Sequence, residues 1–187
     1  MDPSLSEVIK HMEVLMIKSI DYLKTELHSI RAGKASPAMI DSVTVEYYGT
    51  PTPVNQVGTV SVIDSHTLSV VPWERKMIPA IERAIRDANL GFNPMSDGEM
   101  VRIPIPRLTE DRRKDLVKQA KAEGEKARVA IRKHRHDVIG TLKQMQKDGT
   151  SEDAIKTAES KVEEGTKDFM RKVDEVLKVK EDEIMTV

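Results

Sequence analysis

The sequence predicts an α+β protein: an elongated antiparallel three-helix bundle with a small β/α/β domain inserted in its first connection. Three amphipathic stripes predict the bundle, and a central stretch of short β-branched runs predicts the insert. Glycines and prolines mark where one gives way to the other. Apolar residues spaced by three and four lie on one face of a helix and need partners to bury them, and three such helices can bury one another.

The first stripe is Ile9, Met12, Met16, Ile20, Leu23, Leu27 and Ile30. Ser4 or Ser6 is placed to cap it, and Gly33 and Pro37 end it near Ile30. From Ile40 to Pro104 the pattern changes to runs at about 43–48, 58–62, 68–71 and 100–103, each read as a strand. Turn signals separate them at Gly49-Thr50-Pro51, Asp64-Ser65 and Asp97-Gly98. Ile78, Ile81 and Ile85 share one face of a helix running to about Asn89, so a small mixed sheet under one helix is expected. Pro104 and Pro106 close the insert. Thr109, followed by Glu110 and Asp111, offers an N-cap with carboxylates in the positive first turn of a helix of roughly 35 to 40 residues. Asp148-Gly149 turns the chain, and Ser151 opens a third helix carrying Ile155, Ala158, Val162, Phe169, Val173 and Val176. Residues 1–30 and 105–187 then form the bundle and residues 31–104 the insert. Two short crossings, at Ile30, Arg31, Ala32 and Gly33 and at Pro104, Ile105 and Pro106, make a hinge.

At 187 residues the chain can bury a sizeable core, and with 30 Lys and Arg against 31 Asp and Glu it is close to neutral overall. The charge is uneven: residues 112–135 hold 10 basic and 3 acidic side chains, residues 147–187 hold 8 and 12. A polyanion would meet a local positive field. The absence of cysteine excludes disulfides, thiolate metal sites and a Cys nucleophile, and suits a reducing compartment. The first residues have neither an arginine-rich transit pattern nor an apolar signal core, and no run approaches a membrane span. The chain reads as a soluble cytoplasmic protein.

Lys114, Lys118, Lys121, Glu125, Arg128, Arg132 and Arg135 step by three and four along the long helix, and only Glu125 breaks the sign. Leu116, Ala120, Ala127, Ala130, Ile131, Val138, Leu142 and Met145 occupy much of the remaining circumference and form the packing seam. A solvated bundle face is the plain alternative. Against it, like charges at these spacings repel, and arginine's planar fork binds phosphate bidentately where lysine cannot. No Phe, Trp or Tyr lies between Arg107 and Asp168, so base stacking is unavailable on that face, and readout of phosphate and shape in structured RNA fits better. The residues alone leave DNA open.

Other candidates have ordinary explanations. His134 and His136 point to different sides of a helix, so they do not make a metal site. Asp64, Ser65 and His66 sit between two strands, where Asx-turn chemistry is usual. Trp73 reads as the anchor of a small core, and the 10 Met residues as core filling. With no glycine-rich phosphate loop the chain is not a nucleotide hydrolase, so a partner must supply any energy. No catalytic residue, cofactor or metal is expected. An adaptor that pairs with another coiled coil is the runner-up, and an enzyme using Asp64 and His66 ranks last.

The run Pro104-Ile105-Pro106-Arg107-Leu108-Thr109-Glu110-Asp111-Arg112-Arg113-Lys114-Asp115-Leu116-Val117-Lys118, with 127–132 as Ala-Arg-Val-Ala-Ile-Arg, resembles the ribosome recycling factor family. Residues 31–37, 48–56, 72–74 and 90–94 resemble its other signatures. The resemblance implies an L-shaped, transfer-RNA-like monomer that enters the post-termination ribosome. With elongation factor G and GTP it would split the ribosome into subunits, releasing mRNA and tRNA, by binding and not by catalysis. It implies that the bundle meets large-subunit ribosomal RNA, with Arg128 and Arg132 at phosphate contacts and Arg112, Arg113 and Arg135 as further carry-overs. Lys133 stands where the family usually has asparagine, and His136 where it has arginine.

Overall fold

In the computed structural model, which describes residues 3–186, the elements in chain order are α1 (Pro3–Ser29), β1 (Thr44–Tyr47), β2 (Thr50–Pro53), β3 (Gly58–Asp64), β4 (Thr67–Pro72), α2 (Ile78–Asp87), β5 (Met95–Ser96), β6 (Val101–Pro104), α3 (Glu110–Lys147) and α4 (Glu152–Met185). They divide into two compact units. One holds the described residues up to Ala32 and those from Glu110 onward, and the other is Gly33–Thr109.

The first unit is the three-helix bundle. Leu5, Ile9, Met12, Met16, Ile20, Leu23 and Leu27 of α1 are buried with Leu116, Ala120, Ala127, Ile131, Val138 and Leu142 of α3 and with Ile155, Ala158, Val162, Phe169, Val173, Leu177 and Ile184 of α4. Each large side chain so buried stabilises by about 1.5–3 kcal/mol before the entropy of ordering is counted. Ser19 meets His134, and Tyr22 and Glu26 are within electrostatic reach of Lys126, so α1 runs against α3. The turn from Asp148 to Ser151 sets α4 against α3. At Gly124 a β-carbon would overlap the Leu177 side chain, so the missing side chain lets α3 and α4 approach closely.

One cap expectation needs correction. Ser4 and Ser6 lie inside α1, which already includes Pro3, a residue suited to a first turn because it has no N–H to satisfy. Ser151 does hold the N-cap position of α4, yet its hydroxyl makes no capping bond. Its carbonyl accepts from Ile155 N at 3.0 Å, and Glu152 and Asp153 supply the first-turn carboxylates.

The second unit has two sheets, both antiparallel, where the sequence predicts a mixed one. In the larger, the order is β3-β4-β6-β5. The crossover through α2 brings the chain back at β5, and β6 then folds into the slot beside β4, so no parallel pair becomes adjacent. The smaller sheet is the hairpin of β1 and β2. Its two-residue turn needs positive φ at both positions, which Tyr48 (49°) and Gly49 (80°) supply. Thr50-Pro51, which reads as turn from the sequence, instead begins β2. Val54 N donates to the Val43 carbonyl at 3.1 Å, so pairing alternates to make Thr44↔Pro53 and Glu46↔Pro51 the pairs without hydrogen bonds. Neither proline is asked to donate.

Met39, Ile40, Val45, Val54, Leu68, Val70, Ile81, Ile85, Val101 and Ile103 fill this unit's core. Trp73 does not: it is 66 % exposed, and only its backbone N–H is held, by the Val57 carbonyl at 3.0 Å. Leu68, Val70 and Pro72 of β4 face inward, so the alternation puts Trp73 on the outward side with exposed Val71.

The boundary between the units falls at Thr109/Glu110, later than the sequence places it. Pro104 is the last residue of β6, and Ile105 is buried in the small core with its N–H on the His66 carbonyl at 2.7 Å. Ala35 N donates to the neighbouring Ser65 carbonyl at 2.8 Å. Gly33, at φ 75°, leaves room that the Leu108 side chain fills. Both crossing segments are thus fastened to the small unit up to Gly33 and Leu108.

Candidate nucleic-acid interface

The helical register of α3 settles which cations face outward. Leu116, Ala120, Gly124, Ala127 and Ile131 are buried, so Lys114, Lys118, Lys121, Arg132 and Arg135 are exposed and Arg128 is half-buried at their edge. Arg112 is also exposed. Arg113 is not: it is 8 % exposed and donates from Nη1 to the carbonyls of Ile184 at 3.2 Å and Thr186 at 3.0 Å. It satisfies carbonyls that the end of α4 leaves without helical partners. Arg113 therefore leaves the set of RNA ligands.

Most of these cations are held by acids. Lys114 pairs with Glu110 at 3.1 Å and Lys121 with Glu181 at 3.9 Å. Arg128 donates to Asp174 at 2.6 Å and to Glu125 at 3.4 Å, Arg132 to Glu125 at 2.7 Å, and Arg135 pairs with Glu163 at 2.9 Å. Lys118 has no ion pair among the described residues. These pairs answer the like-charge argument drawn from the sequence: Glu125, inside the stripe, and acids of α4 offset the repulsion without any ligand. Arg132 holds the Glu125 carboxyl below its ordinary range, with Arg128 adding to the effect, and Asp174 raises the Arg128 guanidinium further.

The pairs remain at the surface, with 53 % of the Arg132 side chain and 45 % of the Arg135 side chain exposed. Exposed pairs of this kind are worth about 0–1 kcal/mol each, so a phosphate can displace or share them at small cost. Meanwhile the acids fix where the guanidinium groups point. The arrangement is a row of oriented donors along a helix 38 residues long, about 57 Å.

The remaining candidates resolve into structure. His66 N donates to Asp64 Oδ1 at 2.8 Å, an Asx turn, and this bond holds the Asp64 carboxyl below its ordinary value. His134 lies 3.3 Å from Ser19 Oγ across the bundle, while His136 is exposed. Sequence reasoning missed Lys167 and Arg171 of α4, which line a groove with Arg132 and Arg135. Their signal was present in the spacing of four between them, on the helix expected to lie beside α3.

The family model for the ribosome recycling factor matches residues 23–185. The ribosome-recycling factor of Flavobacterium psychrophilum is 52 % identical over 169 residues, 90 % of each chain. That of Flavobacterium johnsoniae is 47 % identical over 187 residues, all of both chains, and that of Anaeromyxobacter dehalogenans 45 % over 183 residues, 97 % of both. A solution structure of the ribosome recycling factor superposes with a TM-score of 0.70 at 34 % identity over all of both chains. The T. thermophilus factor, described together with E. coli elongation factor G bound to the E. coli post-termination complex, gives 0.59 at 41 % identity over 97 % of this chain and 99 % of the other. Two compact units, an outward row of cations on α3 and near-complete coverage by these relatives lead to one conclusion: the chain belongs to the ribosome recycling factor family.

Proposed function

We propose that this chain binds the post-termination ribosome through large-subunit ribosomal RNA and, with elongation factor G and GTP, splits it into subunits so that mRNA and tRNA are released. The observation that carries the reading is family membership across the whole chain, joined to the exposed cations of α3. Arg128, Arg132 and Arg135, with Lys114, Lys118, Lys121 and Arg112, contact phosphate. The chain acts by binding and displacement and makes or breaks no covalent bond. It works as a monomer in the cytoplasm, where its target is; no helix among the described residues is long and apolar enough to cross a membrane.

The bundle anchors and the small unit receives the push of elongation factor G. The pivot lies at the two boundaries between the units, at Ile30, Arg31 and Ala32 and at the join from Thr109 to Glu110, with Gly33, Pro104, Ile105 and Pro106 bordering it. The test is a splitting assay on post-termination ribosomes with elongation factor G and GTP. Arg132→Ala and Arg128→Ala should each slow splitting about tenfold or more at limiting factor, as lost charge-assisted contacts of about 1.5–3 kcal/mol require. Splitting at the parent rate by both variants rejects the anchor.

A further inference from the structure

Between α3 and α4 runs a groove of about 540 Å³, and its lining holds four cations against two carboxylates. Arg132 and Arg135 come from α3, and Lys167 and Arg171 from α4. Both carboxylates are already engaged with guanidinium groups: Glu163 with Arg135 at 2.9 Å and Asp174 with Arg128 at 2.6 Å. They bridge the two helices and fix the arginines relative to the groove.

Arg171 is paired with Asp168 at 3.1 Å, whereas Lys167 has no ion pair among the described residues. Between the cations lie Thr166 and Met170. The Thr166 hydroxyl is spent on the Val162 carbonyl at 2.7 Å, so these two residues offer no free side-chain donor to compete for the ligand. The result is a channel with net positive charge, prefixed donors and a weakly polar floor. Its complement is a chain of phosphates joined by sugars, because phosphate accepts from guanidinium and ammonium while the ribose covers the floor.

We propose that Lys167 and Arg171 of α4, together with Arg132 and Arg135 of α3, bind the sugar-phosphate backbone of one RNA strand that crosses from one helix to the other. This rests on the reading that α3 binds ribosomal RNA, and it extends the contact to a second helix. Lys167 supplies an ammonium with no internal competitor, and Arg171 closes the far side.

The experiment measures binding of the full chain to isolated large ribosomal subunits across a salt series. Lys167→Ala and Arg171→Ala should each reduce the salt slope by about 1 and weaken binding about fivefold near 0.15 M salt. Lys178→Ala, which removes an exposed α4 lysine paired with Asp182 outside the groove, should bind like the parent. If Arg132→Ala weakens binding but Lys167→Ala and Arg171→Ala do not, the groove is overturned and the α3 reading survives. If all three bind like the parent, both are overturned.

A second readout removes dependence on affinity. The chain has no cysteine, so Lys167→Cys accepts a single thiol-linked photo-crosslinker. Capture of ribosomal RNA supports the groove. Capture of ribosomal protein alone, as an acidic protein segment in the groove would give, or of nothing, overturns it.

Discussion

Arg113 has the same charge as its neighbour Arg112 and the opposite fate. Its guanidinium is buried on the Ile184 and Thr186 carbonyls, and counting back three from Leu116 along the buried series Leu116, Ala120, Gly124, Ala127 and Ile131 lands on it. The register is therefore legible in the sequence, but the family signature draws attention to the charge instead. Arg113→Ala should lower stability by about 1.5–3 kcal/mol, since a buried charge-assisted donor is lost and carbonyls are left unpaired, while the folded variant binds ribosomes normally. Urea unfolding together with sedimentation checks both halves. Glu74 gives a second prediction at this scale. Bonds from Lys76, then Tyr47 and Tyr48, hold its carboxyl below the ordinary glutamate range. A carboxyl whose folded pKa is depressed contributes stability above its unfolded pKa and loses it as the pH falls through the folded value. The small unit should therefore weaken as the pH drops below the ordinary glutamate range, and Glu74→Gln should flatten that dependence in urea midpoints measured against pH.

Elements were readable where one periodicity ran long. The stripe from Ile9 to Ile30 announced a helix because seven apolar positions repeat at three and four without interruption, and the run from Glu110 to Lys147 did so because its apolar and basic residues keep to different sides. Strands β2 and β5 escaped: one has proline at alternate positions, and the other is only two residues long. Pairing in the sheet depends on which strand fills the slot beside β4, a tertiary outcome with no local signature. Helix packing yields a paired prediction from two glycines of α3. Gly140 is exposed, and a methyl added there would meet nothing within 4 Å, so Gly140→Ala should stabilise by about 0.5–1 kcal/mol through backbone entropy alone. Gly124→Ala gains the same term but drives a methyl into Leu177, and overpacking of this kind costs about 1–3 kcal/mol, so it should destabilise. Thermal melts of the two variants should move in opposite directions.

For the molecule as a whole, the insertion of one unit into another was legible because a helical pattern stops, a strand pattern intervenes and the helical pattern resumes. The boundary at Thr109/Glu110 was not, because Ile105 looks like any apolar residue between two prolines until its burial and its bond to His66 are seen. The candidate interface was legible as charge on one side of α3. Its compensation by Glu163, Asp174 and Glu181 was not, because those acids come from another helix. The proposed binding through α3 requires these pairs to open to, or share with, RNA phosphates. The most direct measurement is the salt dependence of binding to isolated large ribosomal subunits for the parent chain and for Arg132→Ala. Loss of one phosphate contact should reduce the slope of log affinity against log salt by about 1 and weaken binding most at low salt. Identical slopes and affinities would contradict the claim that α3 holds the ribosome by its exposed arginines.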